Sequence, residues 1–534
     1  MNRKTLVLPA VVGLLAPVLA GCGASDEAGD GGEPIVVGTT DTFVTTKAFP
    51  APFDPALAYE AASWNILRNT FQTLMALPRS GGEPVPEAAS RCGFSDQNNE
   101  QYRCTLRSGM KFANGHPLTA DDVKFSVDRT LKIKDPNGPV SLLSGVDAVE
   151  APNDRQIVFH LKSPDATFPY KLATPAAAIV DAQVYHGAKL RNGFAVDGSG
   201  PYTLRTEERG GQVVSAVFSR NPHYKGGLKL KNDQVEMRFL KNADAMEDAL
   251  KKGDIDLMTR SMSPEQIGRL ERGDTEGVDV VEAPGQEIRY LGFDTDDGTA
   301  GRKAVRQAMA EVVDRQALVR DVYDRTAQPL YSIVPSSVGS HVNSFFNKYG
   351  DPSPEKARRT LRAAGIDTPV KLRLTYTTDH YGAATAKEFR TLRRQLEASG
   401  LFDVSVKGVP WKTFRPAQSD GEYQVYGMGW FPDFPDADNF MDPFFAKNNF
   451  LNTPYRNDTI RDRLIPQTRR QTERSAAAAG FEQAQDIVAD EVPVLPLWQG
   501  KQYVATRDDV TGAEWALSSS SVLQLWELGR ETSG

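Results

Sequence analysis

Recognition chemistry needs charged or polar groups held against a rigid apolar wall, and Gly427 to Phe440, reading GMGWFPDFPDADNF, brings the two together. Trp430, Phe431 and Phe434 are flat apolar surfaces, and Asp433, Asp436 and Asp438 carry negative charge. Pro432 and Pro435 stiffen the segment and remove two amide donors. The alternating run Glu422-Tyr423-Gln424-Val425-Tyr426 just before it predicts a strand. Gly427 and Gly429 then strip side chains from one face, so that a ligand or a neighbouring strand can approach the backbone. By the period of two, Tyr426 shares the face of Trp430. Aromatic walls with a few carboxylates suit a small cationic or amine-bearing ligand. Clusters of Gly, Pro and Asp also make plain solvated loops, so the rest of the chain must decide.

Other chemistries lack their parts. The six histidines, at 116, 160, 186, 223, 341 and 380, include no pair with zinc spacing. No phosphate-cradling GxxxxGK[ST], dinucleotide GxGxxG or GxSxG nucleophile elbow is present. Asp433, Asp436 and Asp438 could be drawn as a calcium loop, but Pro435 and the apolar spacing fit the twelve-residue pattern poorly. No metal and no cofactor is expected.

The N-terminus reads as an export signal. Arg3 and Lys4 precede the uncharged run Leu6 to Leu19, shorter than the ~20 residues of a spanning helix and interrupted by Pro9 and Pro17. It ends in Leu19-Ala20-Gly21-Cys22, which resembles the lipobox of bacterial lipoproteins, with Cys22 as the lipid-bearing residue. Residues 1–21 are the signal peptide on this reading, and the Gly- and acid-rich stretch 22–34 is a flexible tether. A formal charge of −7 over 534 residues gives no footprint for nucleic acid. Cys92 and Cys104 flank the polar tip Ser95 to Asn99 between strand-like segments. Export favours a disulfide between them, two reduced buried thiols being the alternative.

In chain order, Ile35 to Thr39 predicts a strand, and Trp64, Leu67, Phe71 and Leu74 share one helical face. Asn114-Gly115 is a turn signal, and Thr119 with Asp122 marks a capped helix start. Val305, Ala308, Met309, Val312, Val319 and Val322 form one apolar stripe, read as a single helix. Ser353-Pro354 opens a further helix that Gly365 stops, and Ala386, Phe389, Leu392 and Leu396 make another that ends at Gly400.

An ordered set of motifs adds a resemblance. Leu106-Arg107, Lys111-Phe112-Ala113-Asn114-Gly115, Thr119-Ala120-Asp121-Asp122-Val123, Gly198-Ser199-Gly200-Pro201-Tyr202 and Gly253-Asp254-Ile255-Asp256 follow one another in family order. Tyr290 to Thr295, the segment Gly429, Trp430, Asp433, Asp436 and Phe440, and Val492-Pro493-Val494-Leu495-Pro496-Leu497 continue it. The chain resembles the family 5 solute-binding proteins of ATP-binding-cassette importers, the oligopeptide- and dipeptide-binding group. Ala113 departs from the family's usual His.

The resemblance implies an α/β, two-lobed fold of the periplasmic-binding-protein class II type, with an extra subdomain inserted in the first lobe. Lobe I would comprise 35–80, 200–293 and 500–534, the inserted subdomain 81–199, and lobe II 294–499. It implies a monomeric receptor, lipid-anchored on the extracytoplasmic face of the cell membrane, that closes about two crossover strands on its ligand and delivers it to permease subunits and their ATPases. The ligand expected is an oligopeptide, with an oligosaccharide or nickel chelate as alternatives and no reaction catalysed. Asp433 would pair with a peptide's ammonium, with Trp430, Gly429, Tyr426 and Phe431 around it. Dipeptide-binding members also carry an arginine in the segment that here reads Thr377-Thr378-Asp379-His380-Tyr381, without one. A secreted hydrolase and a purely structural or signalling lipoprotein are the readings from other classes.

Overall fold

The computed structural model describes residues 33–79, 81–518 and 521–531; the expected signal peptide, Cys22 and nearly all of the tether lie outside them. Two large mixed sheets organise the chain. The first has seven strands in the order Val278–Ala283, Gln502–Arg507, Leu257–Thr259, Ile35–Thr39, Gln234–Phe239, Gln212–Arg220, Tyr202–Arg209. The second has six, in the order Ala327–Pro329, Val494–Gly500, Ile288–Phe293, Val425–Trp430, Val370–Thr377, Phe402–Val409. Each sheet is faced by its own apolar core, one around Val37, Leu67, Val235 and Leu257, the other around Leu291, Leu374, Phe389 and Val494. The result is a two-lobed α/β molecule.

Two short segments carry the backbone between the sheets. Pro284 to Glu287 joins Val278–Ala283 to Ile288–Phe293, and Lys501 joins Val494–Gly500 to Gln502–Arg507. The crossings run side by side: the Gly500 amide donates to the Glu287 carbonyl at 3.0 Å. A Cβ at Gly285 would overlap the Gly500 carbonyl oxygen. The strand Ile288–Phe293, which the sequence-based boundaries put at the end of lobe I, pairs on both edges within the six-stranded sheet.

A four-stranded antiparallel sheet, in the order Ala89–Phe94, Gln101–Leu106, Gln156–Leu161, Val146–Asn153, has a core of its own. Cys92 and Cys104 lie opposite each other on its first two strands and are joined by a disulfide. The helix Ala120–Ile133 starts with a capping box between Thr119 and Asp122, satisfying orphan amides at both positions. Further on, Gly253 ends the helix Ala243–Lys252 at φ +76°, a conformation in which a Cβ is costly.

One expected helix is two. The stripe from Val305 to Val322 breaks at extended Val313, and the Asp314 side chain caps a new turn by accepting from the Ala317 amide at 2.9 Å. Val312 and Val319 therefore reach the same core from separate elements, because a side-chain cap competes with helix continuation.

Candidate ligand-binding site

The strand Val425–Trp430 aims the Gly427–Phe440 segment at the first lobe. It starts at Val425 rather than Glu422, since the preceding helix Trp411–Ser419 ends in a turn at Gly421 with φ +73°. Both glycines thus lie inside the strand, and neighbouring side chains use the space they leave. A Cβ at Gly427 would meet the Phe389 ring, and one at Gly429 would meet the Arg289 guanidinium. Of the two occupants open from sequence, the neighbouring strand's side chain is the one present at Gly429. Tyr426 uses the same device in reverse, with its ring over Gly292.

Beyond Trp430 the loop is a hydrogen-bonded unit. Asn439 holds it: its Oδ1 accepts from the Asp433 amide at 2.8 Å and from Trp430 Nε1 at 3.2 Å, and its Nδ2 donates to Asp433 Oδ2 at 2.9 Å. Asp436 caps the turn Ala437–Phe440 and takes two bonds from Arg474, at 2.7 and 2.8 Å. Asp438 takes two from Arg469, at 2.9 and 2.8 Å, and Asp442 takes a third at 2.7 Å. These two aspartates brace the loop through their arginine partners.

Asp433 faces the other lobe. Tyr59, 374 residues away in sequence, donates its hydroxyl to Asp433 Oδ2 at 3.0 Å. Asp433 is 5% exposed, and burial pushes its carboxyl up to about 6, against hydrogen bonds from Asn439 and Tyr59 that favour the anion, with Asp442 adding to the rise. Around it the lobes interlock. Phe434 enters the first lobe's core, its ring 5.7 Å from that of Tyr170, and Phe450 meets Tyr59 edge-on at 4.9 Å. At the periphery the Ala166 amide donates to the Arg469 carbonyl at 2.7 Å, and Asn99 donates to that of Arg470 at 3.0 Å.

The same face of the second lobe continues into aromatic and cationic groups. Trp430 packs against Phe444 and Phe450 at 5.9 and 6.0 Å, and the half-buried Phe431 lies 5.2 Å from the Arg289 guanidinium. Arg289 also lies over the rings of Tyr381, at 4.0 Å, and Trp498, at 5.2 Å, with Glu287 as its ion-pair partner. Arg415 stands 5.5 Å from the Phe450 ring centre and donates to Gln418 Oε1 and the Phe450 carbonyl. Burial lowers its pKa, and the groups acting on it are Tyr290, Tyr381 and Tyr426; it ion-pairs with no described carboxylate.

Two nearby ionisable residues keep accessible surface. His380 is exposed in part and stacks on Trp411 at 3.8 Å, yet burial, with Arg289 and Arg260 behind it, holds its pKa at about 3. Exposed Glu60 is likewise pushed up by burial and by Asp41. Arg289 belongs to the second sheet and Arg260 follows a strand of the first, so both lobes face this space. Arg260 and Ser261 have φ of +62° and +53°, rare for residues with side chains and a form of strain found at binding sites.

The five residues expected at the site thus split. Asp433, Trp430 and Phe431 gather at the junction of the lobes, Tyr426 borders it beside Arg415, and Gly429 makes room for Arg289. Tyr59, Asn439, Arg289 and Arg415 join them without any expectation from sequence. Only Asn439 had a local signal, in the same loop as Asp433; the others come from distant segments brought in by folding.

Comparison with known proteins decides the family. Residues 83–452 match the model of the bacterial extracellular solute-binding proteins, family 5. The chain belongs to that family. Among curated relatives, the probable D,D-dipeptide-binding periplasmic protein DdpA of Escherichia coli is 26% identical over 88% of this chain and 91% of its own length. The oligopeptide-binding protein OppA of Bacillus subtilis is 24% identical over 90% and 91%. The periplasmic binding protein DppA of Helicobacter pylori, solved with the peptide STSA, superposes with a TM-score of 0.77 at 20% identity over 93% of this chain and 98% of that one. Family 5 proteins bind solutes for ABC importers. Among the described residues no helix is long and apolar enough to cross a membrane, and no cluster of His, Cys, Asp and Glu could hold a metal ion.

Proposed function

We propose that this chain captures an oligopeptide outside the cell, between its two lobes, and hands it to an ABC permease driven by separate ATPases. The observation that carries this reading is Asp433, a carboxylate shielded from water at the junction of the lobes, with Tyr59 of the first lobe donating to it. A peptide's α-ammonium would gain a charge-assisted hydrogen bond there, strengthened by the desolvated surroundings. Arg415 supplies the positive charge that Thr377 to Tyr381 lacks, and suits a carboxylate at the ligand's other end. The curated relatives named for peptides point the same way. In this reading lobe I comprises residues 35–80, 200–287 and 501–534 with the subdomain 81–199 inserted, and lobe II comprises 288–500. Cys22 carries the lipid that keeps the monomeric receptor at the membrane, and the chain catalyses no reaction.

A second reading keeps the role and changes the solute. The flat Trp411–His380 stack would serve the apolar face of a sugar as well as a peptide side chain. Melting of the protein against pools of di-, tri- and longer peptides, with oligosaccharides and nickel alongside, separates the two. A ligand that binds only the native state raises stability by ~2.7 kcal/mol at a hundredfold excess over its Kd. A rise with free peptides, absent with N-acetylated ones and with Asp433→Ala, is expected. A rise with sugars or nickel alone would leave the transport role standing and overturn the peptide.

A further inference from the structure

A second cavity lies in the first lobe, where the helix Ala61–Thr70 meets the inserted subdomain. Its volume is about 180 Å³, and Phe71, Leu77 and Trp526 are among its apolar walls. Arg68 and Gln72 supply polar atoms without partners. Arg68 Nε and Nη2 are both buried and have no acceptor among the described residues. They form one edge of the guanidinium, the edge that grips a carboxylate with two parallel bonds. No acidic group acts on Arg68, and burial alone lowers its pKa to about 10.

The acids on the same wall are engaged elsewhere. Glu87 accepts from Gln72 Nε2 at 3.1 Å, the Tyr224 hydroxyl at 2.6 Å and the Gly227 amide at 3.0 Å. Glu527 pairs with Arg79 and Lys231. Gln72 Nε2 is fixed by Glu87 and by the Lys225 carbonyl at 3.2 Å, which leaves its buried Oε1 without a donor. An unmet cation and an unmet acceptor thus belong to two residues that line one cavity. Buried polar atoms are nearly always satisfied, and a ligand with the complementary groups would satisfy both.

We propose that this cavity is a binding site for a small hydroxy-carboxylate. The carboxylate lies along the Arg68 Nε–Nη2 edge, the hydroxyl donates to Gln72 Oε1, and the apolar body packs on Phe71, Leu77 and Trp526. The site is separate from the cleft at Asp433 and does not depend on what binds there. Calorimetric titration of the full-length chain in detergent with mandelate tests it, with mandelamide as the uncharged control. Saturable binding of mandelate is expected, at least tenfold weaker for mandelamide. Arg68→Met is expected to abolish it, as is Ala178→Leu, which fills the cavity and leaves Arg68 in place. Equal affinity for the amide, no saturable binding, or mandelate binding that survives Ala178→Leu would each overturn the proposal. If Arg68→Met does not fold, the cavity-filling variant decides.

Discussion

Asp433 and Asp438 are five residues apart in one loop, both buried, and held by different partners. Asp438 sits against Arg469, whose pKa its acidic neighbours raise against the effect of burial. Asp433 takes hydrogen bonds from Asn439 and Tyr59, and its pKa rises to about 6. An acid matched by arginine has its field cancelled and can only brace a structure. An acid held by amide and hydroxyl is the one that, in the proposed function, would meet the ligand's ammonium.

That contrast can be broken from either side. The largest effect is expected at the brace: Arg469→Met strands Asp438 and Asp442 and should cost about 3–5 kcal/mol, read by chemical denaturation. Unchanged stability would mean that the loop does not need its ion pairs. Asp433→Asn should leave the fold intact and weaken an ammonium-bearing ligand by about 2–5 kcal/mol in calorimetry, as N-acetylation of the ligand does in the parent.

The same variant has a signature in pH. The folded pKa of Asp433 lies above its ordinary value, so the stability linked to this group is full below about pH 4 and is lost as pH rises through 6. Asp433→Asn should therefore melt above the parent at pH 8, by on the order of 1–3 kcal/mol, and level with it at pH 4. Ligand affinity should run the other way, nearly constant above pH 7 and about tenfold lower at pH 5, a trend absent from the variant. The smallest effect is Tyr59→Phe, which removes one bond between the lobes. It should lower ligand affinity by about 0.5–1.5 kcal/mol and leave Asp438 and its partners unmoved.

The fold was legible because its signals are local and repeat in order. Thr119 with Asp122, Gly253 and the two-residue alternation each report on neighbours a few positions away. Of the residues that gather at the lobe junction, Trp430, Phe431 and Asp433 were legible, because one short loop carries them together. Tyr59, Arg289 and Arg415 reach it through packing of different sheets, and no spacing in the sequence joins them. The segment Thr377 to Tyr381 shows the consequence: its lack of an arginine reads as a missing charge, whereas Arg289 reaches Tyr381 from another strand. The stripe across Val313 misled for the opposite reason, since two helices serving one core preserve a period that neither owns.

For the lobe closure that the proposed function needs, the paired crossings at Gly285 and Gly500 would be one fulcrum instead of two independent joints. Because the backbones touch there, the space between them works as a mechanical stop whose thickness is set by the absence of a side chain. Gly285→Val would act as a wedge, far from any ligand atom, holding the jaws apart. Its penalty would appear as a smaller share of molecules able to close, so every solute would lose affinity by the same factor whatever its chemistry.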